Sequence, residues 1–156
     1  VEYVALQLKH ASAAALADAA LACLDGGAPD LAEAAFRALT LREPTAASAH
    51  RGVALSLMRL RRPAEAAESW RRAIALSPRD AALHTGRGRA LAAAGRIDEA
   101  GKAFDDALEL KPGLIEALLG RGHINRARGL TEPAIADYRR CLSLAPGLGE
   151  AWWSLA

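Results

Sequence analysis

The chain has 156 residues, 52% of them hydrophobic but only 4% aromatic, and a formal net charge of +2. That length suits one domain around a single core, and few bulky rings beside abundant alanine point to closely packed helices, since alanine is the strongest helix former and adds no bulk. So small a charge argues against nucleic-acid binding on bulk charge alone, while Cys23 and Cys141, in no CxxC or Cys/His cluster, indicate neither zinc nor a disulfide framework and fit a reducing, cytoplasmic setting.

Residues 1–12 read as an N-terminal extension or helix. Residues 11–24, following Lys9 and His10, resemble a secretory leader in outline, but Asp18 interrupts the run and alanine makes it weakly apolar, so a structural helix is predicted. No stretch reaches the ~18 apolar residues of a membrane span, and no membrane partner is expected. Pro29 and Pro63 stand where a first-turn proline is tolerated. Asp80 to Ala94 reads as one helix and Ile97 to Leu110 as the next, with Gly95 and Arg96 between them. Glycine suits the left-handed turn that closes a helix. Pro112 stops the second helix, because proline lacks an N–H and disfavours helical geometry before it. The same grammar returns at Gly129.

These elements repeat. Pro44, Pro78, Pro112 and Pro146 are spaced by 34 residues; eight residues before each stands Phe36, Trp70, Phe104 or Tyr138, and four before those stands Ala32, Ala66, Ala100 or Ala134. Small residues recur at Ala73, Ala107 and Cys141, and at Ala54, Gly88 and Gly122. Coincident ladders at one period imply two antiparallel helices per repeat, each too short to stand alone and each burying an apolar face against the next.

The pattern resembles the tetratricopeptide repeat family, with small residues at positions 8, 20 and 27, an aromatic at 24 and proline at 32 of the period. The resemblance implies an all-α, right-handed superhelical solenoid forming a single domain over 1–156, with repeats 13–46, 47–80, 81–114 and 115–148 and a half-repeat helix at 149–156. Position 4 departs from its usual Trp or Leu at His50 and His84, and position 7 is Arg87 and Arg121 in place of leucine. In the first repeat Leu39 and Leu41 come one residue earlier than Ile74 and Leu76 do in the second, so its second helix is expected to pack atypically.

Candidate chemistry is sparse. His50 and His84 lack a third ligand and suit helix packing better than a metal. Gly86-Arg87-Gly88-Arg89 is no phosphate loop: no strand precedes it and no Lys-Ser/Thr completes it. Ser, Cys and His show no triad-like grouping in sequence. No cofactor, metal or catalytic residue is expected within the chain.

Charge is more informative. In repeats two to four the first helices carry Arg51, Arg59, Arg61, Arg62, Arg87, Arg89, Arg121, Arg126 and Arg128, whereas Glu65, Glu68, Asp98, Glu99, Asp105, Asp106, Glu109, Glu132 and Asp137 lie on the second. The resemblance places first helices on the concave face, implying a basic groove. Its groove positions map to Arg51, Leu55, Met58 and Arg59, then Thr85, Arg89, Glu116, Leu119, His123 and Arg126, a set suited to an extended acidic peptide. The alternative is that these arginines neutralise neighbouring acids, preferred for Arg87 and Arg121 and evenly balanced for Arg51, Arg89 and Arg126. The carboxylate clamp of the chaperone-binding subfamily is missing: its positions read Ala17, Leu21, Gly52, Ala82 and Gly86, or Arg51, Leu55, Gly86, Glu116 and Gly120. Gly52, Gly86 and Gly120 leave either a bare backbone strip for a ligand or, the favoured reading, close helix packing.

The run from Pro146 to Ala156 carries Trp152, Trp153 and Leu155 on a first helix with no second helix to cover it, which predicts part of a larger protein or a helix that docks on another subunit. The run also resembles the junction in bacterial proteins where tetratricopeptide repeats precede a sulfotransferase domain. The expected function is a non-catalytic scaffold binding a protein or peptide with acidic groups; the alternative is a recruiting domain of such an enzyme. Nucleic acid, which would need stacking aromatics, is not the expected partner.

Overall fold

The computed structural model describes residues 12–155, so the N-terminal extension expected at 1–12 lies, up to residue 11, outside the described residues. The described residues form helices and connecting turns, with no strand among them: α1 (Ala13–Asp25), α2 (Pro29–Arg42), α3 (Ala47–Arg59), α4 (Pro63–Leu76), α5 (Ala81–Ala93), α6 (Ile97–Leu110), α7 (Ile115–Ala127), α8 (Thr131–Leu144) and α9 (Gly149–Leu155). They fall into two compact units, an N-terminal one ending at Pro78 and a C-terminal one beginning at Arg79.

Local chemistry sets the helix ends. Pro29 and Pro63 open α2 and α4 at the first helical position, where no intrahelical N–H is lost. Ser12 and Asp80 cap α1 and α5, accepting from the amides of Ala15 and Ala82. Every helix opening a full repeat closes alike: a backbone N–H reaches five residues back, Ala28 to Cys23, Arg62 to Leu57, Arg96 to Leu91 and Leu130 to Asn125, at 2.8–2.9 Å. This closure needs one left-handed residue. Gly27, Gly95 and Gly129 supply it with φ of 75° to 77°, but in the second repeat the same place is taken by Arg61, with φ 59°.

In the N-terminal unit Leu16, Ala20 and Leu24 of α1 are buried, with Ala32, Phe36 and Leu39 of α2, Val53, Ala54 and Leu57 of α3, and Ala66, Trp70 and Ala73 of α4. The Phe36 ring lies so close to the α3 backbone at Gly52 that a Cβ there would collide with it. In the C-terminal unit Phe104 meets Gly88 of its own repeat and Gly120 of the next, and Tyr138 meets Gly122. Phe36, Phe104 and Tyr138 therefore seat on first helices at glycines, Phe104 between two of them, and the backbone at Gly52 and Gly120 is covered by the protein's own rings instead of lying bare. The slipped register of the first repeat has a visible result: Leu39 takes the buried place that Ala73, Ala107 and Cys141 take elsewhere, leaving Leu41 83% exposed.

Candidate functional site

The ten residues expected to line a groove divide by what they touch. On α3, Arg51 and Leu55 are exposed one turn apart and Met58 is half-buried. Arg59 is tied down, donating from Nη1 at 3.1 Å to the Leu24 carbonyl at the end of α1, which otherwise accepts the Gly27 amide at 3.4 Å. On α5, Arg89 is exposed but Thr85 is buried, its hydroxyl donating to the Ala81 carbonyl at 2.9 Å. On α7, Glu116 and Arg126 are exposed and His123 half-buried, while Leu119 belongs to the core. Thr85 and Leu119 thus offer a ligand little surface.

His123 sits at the best-connected point of this set. Its ring packs on Tyr138 with centroids 5.7 Å apart. Nε2 lies 3.4 Å from Ser154 Oγ and 3.9 Å from Glu150 Oε1, both on α9. Burial pushes the imidazole below its usual range, Glu150 opposes that and Arg126 adds to it. The Ser–His proximity was not legible in sequence, yet it is no nucleophile pair: Ser154 donates its proton to the Glu150 carbonyl at 2.8 Å, and the carboxylate approaches the same nitrogen as the serine instead of orienting the ring from Nδ1.

Arg121, Arg128 and Arg62 are committed to acids. Arg121 of α7 makes a two-pronged pair with Asp137 of α8, at 2.9 and 2.6 Å, and reaches Asp105 of α6 at 3.0 Å. Asn125 also donates to Asp137, which is 5% exposed. The Asp137 hydrogen bond is the main reason the Arg121 guanidinium holds its proton more tightly than usual. Arg128 pairs with Asp98 at 2.8 Å. Arg61 and Arg62, counted by sequence with α3, stand in the turn after it, and Arg62 bridges Glu33 and Glu65. Arg87 adds its charge to that of Arg96, whose hydrogen bond holds Glu99 below the usual carboxylate range. Neutralisation, the preferred reading for Arg121, is what its geometry shows. By contrast Arg51, Arg89 and Arg126 make no ion pair among the described residues.

His50 and His84 have separate surroundings. His84 Nδ1 lies 3.6 Å from Asp106; His50 faces a groove that sequence reasoning missed. In the N-terminal unit a cavity of about 430 Å³ opens between α2 and α4 with α3 as its floor, lined by Leu41, His50, Val53 and Leu57 and flanked by Arg37 and Arg72. At the equivalent place in the C-terminal unit Arg121 stands between two separate cavities, about 410 and 350 Å³. The valine and arginine at position 7, and the displaced Leu41, were the available signals. No group of three His, Cys, Asp or Glu able to hold a metal occurs among the described residues, and no helix there is long and apolar enough to cross a membrane.

Comparison with known proteins fits this architecture. No curated protein matches the chain. Among solved structures it superposes on MamA protein with a TM-score of 0.84 at 21% identity, covering 92% of this chain and 78% of that one. It superposes on YrrB, described as a TPR protein with an unusual peptide-binding site, with a TM-score of 0.81 at 22% identity, covering 92% and 74%. The first TPR of Spaghetti (RPAP3), bound to an HSP90 peptide, gives a TM-score of 0.69 at 24% identity over 70% of this chain and 86% of that one. These likenesses establish the all-helical solenoid fold. Tetratricopeptide repeat models match residues 18–69, 53–115 and 115–148, so that, with ladders, helix pairs and wedged aromatics all keeping one period, the chain belongs to the tetratricopeptide repeat family.

Proposed function

We propose that the protein is a non-catalytic interaction scaffold whose first-helix faces bind an extended protein or peptide segment bearing carboxylates. The observation that carries this reading is the division among arginines. Those between helices are neutralised by acids, while Arg51, Arg89 and Arg126 are exposed and carry no ion pair among the described residues. An uncommitted guanidinium beside Leu55 and Met58 in one unit, and beside His123 in the other, offers charge-assisted hydrogen bonds next to apolar surface. Relatives of the same fold include a structure with an HSP90 peptide bound, and a peptide is the ligand class we extend to this chain.

A fluorescein-labelled peptide alternating glutamate and leucine provides the test. Reversing Arg51, Arg89 and Arg126 to glutamate should weaken its binding by about tenfold or more, since each charge-assisted contact contributes about 1.5–3 kcal/mol when desolvated and less at an exposed rim. Equal binding by the parent and the reversed protein would refute the basic-face reading. Binding of a labelled oligonucleotide with a steep salt dependence would replace the peptide by nucleic acid.

A second reading rests on the C-terminal segment. Trp152 is 59% and Trp153 83% exposed on α9, and the run from Pro146 to Ala156 resembles the junction that precedes a sulfotransferase domain. Both support a domain that recruits substrate for a larger enzyme, or a helix that docks on a second copy. The residues encoded after Ala156 decide: a stop codon there removes the enzyme reading.

A further inference from the structure

We propose that the groove between α2 and α4 is a second docking surface, separate from the first-helix faces, and that it takes a helical partner segment presenting leucine-like side chains beside a carboxylate.

The repeat supplies its own control. Arg37, Val53 and Ser69 of the N-terminal unit hold the same places in the period as Asp105, Arg121 and Asp137 of the C-terminal unit. In the C-terminal unit the arginine rises from the floor, pairs with an acid on each wall and divides the groove. In the N-terminal unit the floor residue is a valine, neither wall position is acidic, and the groove stays one cavity of about 430 Å³. That volume is within the range of sites that hold small ligands or anchoring side chains.

The lining selects the occupant. The floor is apolar, with Val53 and Leu57 6% and 1% exposed, and it continues onto Leu41 at the rim. The wall hydroxyls are satisfied within their own helices: Thr40 donates to the Arg37 carbonyl and Ser69 to the Glu65 carbonyl. Glu65 and Glu68 each accept two-pronged pairs, from Arg62 and Arg71. Arg72 is different. Among the described residues it is held only by a 3.5 Å approach to a Glu68 oxygen that already accepts from Arg71 at 2.6 Å, and its side chain is 61% exposed. With the floor itself buried, what the groove offers a partner is therefore the exposed Leu41 at its rim, the His50 imidazole and one lightly held guanidinium, and an aliphatic anchor with an adjacent carboxylate suits Leu41 and Arg72.

The test uses the full chain with labelled leucine and valine methyl groups, and a synthetic alanine/glutamine helix carrying two leucines four residues apart with a glutamate beside them. Saturable shifts are expected at Leu41, Val53 and Leu57. Replacing the peptide leucines by serine should weaken binding about tenfold or more, and replacing its glutamate by glutamine about two- to fivefold. Arg37→Asp, Val53→Arg and Ser69→Asp together transplant the C-terminal clasp and should abolish binding while helicity and melting temperature stay near those of the parent. Leu41→Asp, at an exposed rim, gives an independent reading and should weaken binding about fivefold or more. Arg51→Glu should leave this binding unchanged, which separates it from the first-helix reading. Shifts confined to other methyl groups, no saturation at about millimolar peptide, or full binding by the Leu41→Asp variant would overturn the proposal. Shifts of the same methyl groups with protein concentration alone would also overturn it, by assigning the groove to a second copy.

Discussion

The two units solve one packing problem with different keystones. Where α3 passes beneath α2 and α4 the N-terminal unit places Val53, buried and apolar; where α7 passes beneath α6 and α8 the C-terminal unit places Arg121, tied to Asp105 and Asp137. Valine contributes by leaving water, needs no specific partner and leaves the groove above it open. Arginine contributes through directed bonds, spans the groove and depends on its partners. A repeat can therefore keep one backbone while one unit offers a cleft and the other closes it.

That contrast is sharpest when each keystone is removed. Arg121→Ala should destabilise by about 3 kcal/mol, at the low end for breaking a buried pair because Arg121 keeps 32% of its side chain in solvent. The cost arises from Asp137, left buried with only Asn125 as donor. Val53→Ala should cost about 1.5 kcal/mol, the loss of two buried methyl groups plus a small cavity. Urea unfolding followed by tryptophan fluorescence measures both. Arg121→Leu combined with Asp137→Ala should recover stability to within about 1 kcal/mol of the parent, since an apolar replacement of both partners leaves no charge stranded. A double variant as unstable as Arg121→Ala would mean that the clasp is not the keystone.

The same contrast explains what could be read in the sequence. Helix pairs, their prolines and the wedge aromatics were legible because each rests on local chemistry repeated at a fixed period; the second helix of the third repeat, Ile97–Leu110, has the expected ends. The Arg121 clasp joins residues 16 apart on either side, so its charges could be sorted by helix but not matched. Thr85 and Leu119 occupy groove positions by count yet lie buried, and Arg59 turned to a carbonyl of the first repeat. Periodicity fixes which face a residue is on; it does not fix which neighbour reaches it first.

Turn chemistry separates the units more weakly. Gly95 and Gly129 close both first helices of the C-terminal unit in the left-handed region, whereas the N-terminal unit closes α1 with Gly27 and α3 with Arg61. A side chain there costs about 1–2 kcal/mol, offset in part by the greater freedom that glycine gives the unfolded chain. Arg61→Gly should therefore stabilise by about 1 kcal/mol, and Gly95→Ala destabilise by a similar amount, since a Cβ at Gly95 meets nothing within 4 Å and only backbone strain opposes it. Chemical denaturation of both variants checks the pair; destabilisation by Arg61→Gly would assign the arginine side chain a stabilising role that outweighs its strained turn.

The smallest expected effect concerns His123, for which the N-terminal unit has Leu55 at the same place in the period. Burial lowers the imidazole pKa below its ordinary 6.5, against the pull of Glu150 and with the push of Arg126. The folded protein thus holds His123 neutral, while the unfolded chain takes up a proton as pH falls past 6.5. Stability from this group is full above that value, declines as pH drops toward the lowered folded pKa and is lost below it. The urea midpoint should fall between pH 7 and pH 5, and His123→Gln should remove part of that fall while leaving the rest to other groups. The ring is half-exposed, so the difference should be a modest fraction of the total. A variant whose pH dependence matches the parent would show that Glu150 cancels the burial of His123, and that the α7–α9 contact is indifferent to its protonation.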